Sequence, residues 1–134
     1  MKMLKGRGIV SGRASGESLV SLEPIHLLGA INSETGVISD DKHQLYGQSI
    51  TDRVLIFPHS IGSSVGAYVI FKLKRLQKAP VAIVTSKADI ILVSGCAMAN
   101  IPTIDLPETP LQLIPTGVKV TVDGSTGIIS WNSD

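Results

Sequence analysis

Apolar and polar positions alternate cleanly through Val118-Lys119-Val120-Thr121-Val122-Asp123, the two-residue period of a strand with one buried face. The turn Asp123-Gly124-Ser125-Thr126-Gly127 follows, and Ile128-Ile129-Ser130-Trp131 returns antiparallel. Two earlier runs are apolar almost throughout. Residues 53–57 and 81–85 therefore read as buried strands. Between them Val65, Val69, Leu73 and Leu76 recur at helical spacing and predict one apolar stripe. Lys72, Lys74, Arg75 and Lys78 crowd the far half of that helix, where cations suit the dipole. Ala79-Pro80 is placed to stop it. Strand, helix, strand implies a right-handed parallel crossover.

The remaining stretches are less periodic. Residues 4–13 read as a short strand with bends at Gly6, Gly8 and Gly12, carrying Arg7 and Arg13. Ala14-Ser15-Gly16 suggests a hairpin or bulge before a second strand at residues 17–22. Residues 23–50 are punctuated by Pro24, Gly29, Gly36 and Gly47, with a turn at Asn32-Ser33-Glu34-Thr35-Gly36 and a brief strand at Val37-Ile38. A short helix is favoured over 88–100, opened by Asp89 and closed by Asn100, with a strand over 101–106. The prediction is an α/β domain with mixed parallel and antiparallel strands, filling residues 1–134 as one unit.

Composition narrows the function classes. Hydrophobic residues make up 43% and charged ones only 17%, which predicts a large apolar face for a partner, including parts of 23–50. The net charge of +1 and 4% aromatics argue against nucleic acid. Apolar runs are too short to span a membrane, and one cysteine, Cys96, suits a cytoplasmic setting. Asp40, Asp41 and His43 read as a polar loop rather than a metal site.

The candidate chemistry lies in Ile61-Gly62-Ser63-Ser64-Val65-Gly66, between the strand ending at Phe57 and the helix. Unpaired backbone N–H groups and the dipole favour an anion there, and the glycines allow close approach. The same residues also read as a serine cap with flanking glycines. Gly62-x-Ser64-x-Gly66 fits the nucleophile elbow of serine hydrolases, but His26, His43 and His59 all precede Ser64, against the required order.

Four stretches carry a resemblance that covers nearly the whole chain. They are Gly12-Arg13-Ala14-Ser15-Gly16-Glu17; Gly36-Val37-Ile38 with His43 and Gly47; Pro58 through Gly62-Ser63-Ser64-Val65-Gly66-Ala67-Tyr68; and Ile101-Pro102-Thr103-Ile104-Asp105. In these the chain resembles the small subunits of the aconitase-X family. The resemblance implies a swivelling β/β/α domain like the mobile domain of aconitase. It implies a separate large subunit holding a 4Fe–4S cluster, with no metal held by this chain. The implied reaction is dehydration of (R)-5-phosphomevalonate to trans-anhydromevalonate 5-phosphate in an archaeal isoprenoid route. By the same resemblance Ser63 is the proton acceptor, with Gly62, Ser64, Val65 and Gly66 around the substrate.

Aconitases carry an arginine where this chain has Val65. Loss of that carboxylate clamp suits a substrate with one carboxylate, and leaves the phosphate to Arg7, Arg13 or the large subunit. Two other readings stay open at this point: a hydroxyproline dehydratase small subunit of the same family, and a non-catalytic swivelling phosphohistidine-type module using His59.

Overall fold

The computed structural model describes residues 1–132. The chain begins with two short strands, β1 (Lys2–Lys5) and β2 (Arg7–Val10), separated only by Gly6. Next comes β3 (Arg13–Val20), then the two-residue strand β4 (Ile25–His26) leading into a single helical turn, α1 (Leu27–Ala30). After a long connection come β5 (Val54–Phe57), β6 (Ser60–Ile61) and helix α2 (Val65–Arg75). The chain continues through β7 (Ala82–Thr85), α3 (Ile90–Ala99) and β8 (Thr103–Asp105), and finishes with the hairpin β9 (Lys119–Asp123) and β10 (Ile128–Trp131).

Among the described residues the main sheet has eight strands in the order β1-β10-β9-β3-β5-β7-β8-β2. Strands β3, β5, β7 and β8 run parallel, and the rest pair antiparallel. β3 serves two partners. Its residues 13–17 pair with β9 and its residues 18–20 with β5, so one strand passes from an antiparallel layer into a parallel one.

Side chains alternate across the parallel strands, and each face has its own core. On one face Leu19, Leu55, Phe57 and Ile83 pack against Leu27, Val69, Ile70, Leu73, Leu92 and Cys96 of the helices. On the other, Val54, Ile56, Ala82, Val84 and Ile104 pack against Leu4, Val120, Val122, Ile129 and Trp131 of the antiparallel layer. The result is helices, parallel strands and antiparallel strands in three layers, the β/β/α arrangement expected. No described helix is long and apolar enough to cross a membrane.

Three local expectations are revised. Ala14-Ser15-Gly16 lies inside continuous β3 rather than in a turn. A Cβ at Gly16 would lie 2.8 Å from the Asp52 carbonyl oxygen, so glycine there answers a close backbone approach. The buried stripe of α2 is Gly66, Val69, Ile70 and Leu73, while Val65 and Leu76 are exposed. The helix ends before Ala79-Pro80. Gln77 turns left-handed at φ 61°, and the N–H groups of Gln77 and Lys78 bond the carbonyls of Lys74 and Leu73, closing it as a Schellman motif. Asp89 and Asn100 bound α3 as their residue types predict. The Asp89 carboxylate accepts from Leu92 N–H, and Asn100 is left-handed at φ 54°.

Candidate active site

Phe57, Thr85 and Asp105 lie level with one another at the carboxyl ends of their strands, the edge where open α/β sheets usually bind ligands. The chain leaving β5 is pinned there on two sides. On one side, the Pro58 carbonyl accepts from Ser86 N–H at 2.9 Å, and Ser60 Oγ donates to both oxygens of Asp89, 3.4 Å each. Asp89 in turn caps α3, so the start of that helix and residues 58–60 hold each other. On the other side, β6 pairs in parallel with β4, Ile25 opposite Ser60 and His26 opposite Ile61. Gly62 then takes φ +122°, a conformation that strains a residue bearing a Cβ.

The two hydroxyls follow at the start of α2. Ser64 is already helical (φ −56°, ψ −18°), and its side chain makes no capping bond. Ser63 occupies the capping position instead. Its Oγ accepts from Val65 N–H at 3.4 Å, and its carbonyl accepts from Gly66 N–H at 3.0 Å. Of the two serines, the side-chain capping contact thus comes from Ser63 and not from Ser64. A donated N–H and the positive end of an eleven-residue helix both favour negative charge on Ser63 Oγ.

Gly62, Ser63, Ser64 and Val65 come together on an open surface, all four exposed. Gly66 does not join them. It is buried, and a Cβ there would lie 3.0 Å from Leu27 Cδ1, so this glycine seats α2 on α1 rather than facing a ligand. Exposed apolar side chains rim the loop: Ile61 before it, Val65 and Tyr68 on α2, Leu28 on α1 and Ile90 opening α3. Two concave pockets, of about 520 and 280 Å³, lie elsewhere, on the antiparallel layer beside Trp131.

The two arginines separate. Arg13 opens β3, seven residues or about 23 Å of strand before the level of Ile56, at the opposite edge of the sheet. Arg7 lies at the loop's edge, paired in register with Asp105. Its Nε and Nη2 donate to the two oxygens of the fully buried Asp105 carboxylate, 2.9 Å each, and Asp105 also accepts from Ala88 N–H. The carboxylate raises the Arg7 pKa above its ordinary value, first through these hydrogen bonds and then through its charge. The Arg7 side chain remains 56% exposed.

The histidines divide as well. His43 is buried, with Nδ1 accepting from Leu45 N–H and Nε2 lying 3.0 Å from the Pro24 carbonyl, so both nitrogens are engaged within the 23–50 segment. His59 lies four residues before Ser63, in the pinned segment rather than at the helix start. His26, which local sequence did not single out, packs its ring on Gly62. No residue type in the local pattern marks this contact, because it comes from the long-range β4–β6 pairing.

The chain's donors do not fit an iron–sulfur cluster. Cys96 lies on the buried face of α3, and burial pushes its thiol pKa up to about 11. Among the described residues no three His, Cys, Asp or Glu side chains converge as a ligand set.

Comparison with known proteins bears on the whole chain. A family model described as the aconitase X swivel domain matches residues 3–131. The "phosphomevalonate dehydratase small subunit" of Thermococcus kodakarensis is 43% identical, covering 98% of this chain and 97% of that one. The protein of the same name from Methanosarcina acetivorans is 43% identical, over 94% of this chain and 88% of its own. The crystal structure of Thermococcus kodakaraensis aconitase X in its holo-form contains a chain 40% identical, with a TM-score of 0.94 over 99% of this chain and 100% of that one.

Proposed function

The chain belongs to the aconitase X swivel-domain family, and from that premise we propose that it is the small subunit of a hydro-lyase dehydrating (R)-5-phosphomevalonate, with Ser63 as the proton acceptor. The reaction removes a proton α to a carboxylate and expels hydroxide from the β-carbon. Ser63 takes the proton. The observation that carries this role is the environment of its Oγ: exposed, at the start of α2, and accepting the Val65 N–H. Removal of a proton by a serine needs its alkoxide stabilised, and a helix N-terminus with a fixed donor supplies that locally. Gly62 and Ser64 contact the substrate beside it. Val65, standing where aconitases have arginine, presents an apolar surface where those enzymes place a carboxylate clamp.

A large subunit completes the site. In this reading it holds the 4Fe–4S cluster, which this chain's residues do not fit, and departure of hydroxide is left to groups outside the chain. The exposed apolar rim of Leu28, Ile61, Val65, Tyr68 and Ile90 suits burial against that subunit, closing the open side of the loop. Of the two arginines, only Arg7 is on the edge that would meet the phosphate of a substrate held at Ser63.

Two measurements test this. Alone, the chain is expected to be folded and to give no dehydration, with turnover appearing only on mixing with the large subunit. Hydrogen exchange should slow on mixing at residues 27–29, 45–47 and 61–68. Full turnover by this polypeptide without iron overturns the subunit reading, as does a protection pattern unchanged along the chain.

A further inference from the structure

The imidazole of His26 is fixed in both position and tautomer beside the loop. Its Nδ1 accepts the Gly29 N–H at 2.9 Å, so Nδ1 carries a lone pair and the ring proton of the neutral imidazole is on Nε2. The His26–Ile61 register of β4 and β6 sets the ring over the next residue of the loop. A Cβ built on Gly62 would lie 3.1 Å from Cε1 and 3.3 Å from Nε2 of His26, closer than an alanine there would comfortably tolerate. The glycine therefore admits the ring, and the ring's Nε2 edge lies against the residue immediately before Ser63. Nε2–H has no protein acceptor among the described residues, and His26 is exposed on the open side of the site.

We propose that His26 is a substrate-binding residue of this reaction, its Nε2–H donating a hydrogen bond to the carboxylate of the substrate. This rests on the reading of Ser63 as the base. The carboxylate is bonded to the carbon that loses its proton to Ser63, whereas the phosphate lies at the other end of the molecule. A donor adjoining Ser63 consequently meets carboxylate oxygen. As the α-proton leaves, negative charge builds on that carboxylate, and a preorganised N–H donor stabilises it without reorganising at the moment of reaction. The fixed tautomer has a function in this arrangement. The bond from Gly29 keeps the proton on the nitrogen that faces the site.

Asparagine and glutamine separate this role from capping, because the asparagine amide oxygen reaches the Nδ1 position and the glutamine amide nitrogen reaches the Nε2 position. His26→Asn keeps an acceptor for Gly29 N–H and removes the donor. His26→Gln keeps a donor near Nε2 and gives up the cap. Each variant is assembled with the large subunit and assayed with (R)-5-phosphomevalonate in deuterated water, for turnover and for α-proton exchange, beside wild type and Ser63→Ala. His26→Asn is expected to keep its melting temperature and lower kcat and exchange by roughly a hundredfold, the lower end for loss of a donor to a developing oxyanion. His26→Gln is expected to recover at least tenfold of that loss despite a lower melting temperature. Wild-type exchange in His26→Asn, or equal loss in the two variants, overturns the proposal. The Ser63→Ala arm reports separately on the base, since normal exchange there removes the premise whatever His26 does.

Discussion

Ser63→Ala, assembled with the large subunit, is expected to lose roughly a hundredfold or more in kcat, the scale for removing a positioned base. Exchange of the substrate α-proton with solvent deuterium should fall in parallel, while KM changes little, because the truncation removes one oxygen. The stability cost should be small. Ser63 Oγ makes one long bond, 3.4 Å to Val65 N–H, so its loss should cost about 0.5 kcal/mol, the low end for a helix cap. Ser64→Ala separates the adjacent hydroxyls. Ser64 makes no capping bond, so its truncation should leave stability within about 0.5 kcal/mol and act mainly on KM. A Ser63→Ala enzyme with normal exchange and an intact assembly would refute the assignment and return attention to Ser64.

Phe57→Ala should have the largest effect on stability. Phe57 is fully buried, ends β5, and belongs to the core that joins the parallel strands to the helices. Removing its ring leaves a cavity in a close-packed layer, at a cost of about 3–5 kcal/mol. For a domain of this length that corresponds to a fall in melting temperature of roughly 10–20 °C. Phe57→Leu keeps much of the volume and should cost about 1–2 kcal/mol. Thermal unfolding of the isolated chain, followed by circular dichroism, measures both. A shift of under about 3 °C for the alanine variant would mean that β5 is not the anchor of the loop that follows it.

Elements built from local chemistry were legible in the sequence. The β9–β10 hairpin follows from alternation and a Gly-rich turn, and α3 from its capping residues at Asp89 and Asn100. The loop at the start of α2 was legible too, because glycine, serine and a following helix specify it together. What escaped were decisions made by distant partners. Gly16 looks like a turn residue, yet β9 and Asp52 on its flanks hold it in a strand. Val65 looks like part of the buried stripe, but Leu27 seats against Gly66 and turns the helix so that Val65 faces outward. Arg7 and Arg13 look alike in sequence, and only strand register assigns them to opposite edges. His26 reaches the site through the β4–β6 pairing, a contact between residues 35 apart in the chain.

The two outermost strands of the main sheet, β1 and β2, are neighbours in sequence, and each pairs with a strand from the later part of the chain. Lys2 lies opposite Trp131, and Arg7 opposite Asp105. A ribosome makes roughly 5–20 residues per second, so the first strand waits on the order of ten seconds for its partner to be made. Until then Leu4 and the outer faces of Val54 and Ile56 have no finished layer to cover them. The fold closes only when the last hairpin arrives, which makes long-range pairing the slow step. A nascent chain is consequently exposed to misassociation late in synthesis, and removal of residues 128–131 should be tolerated far less well than a short insertion at an exposed position of the 23–50 segment.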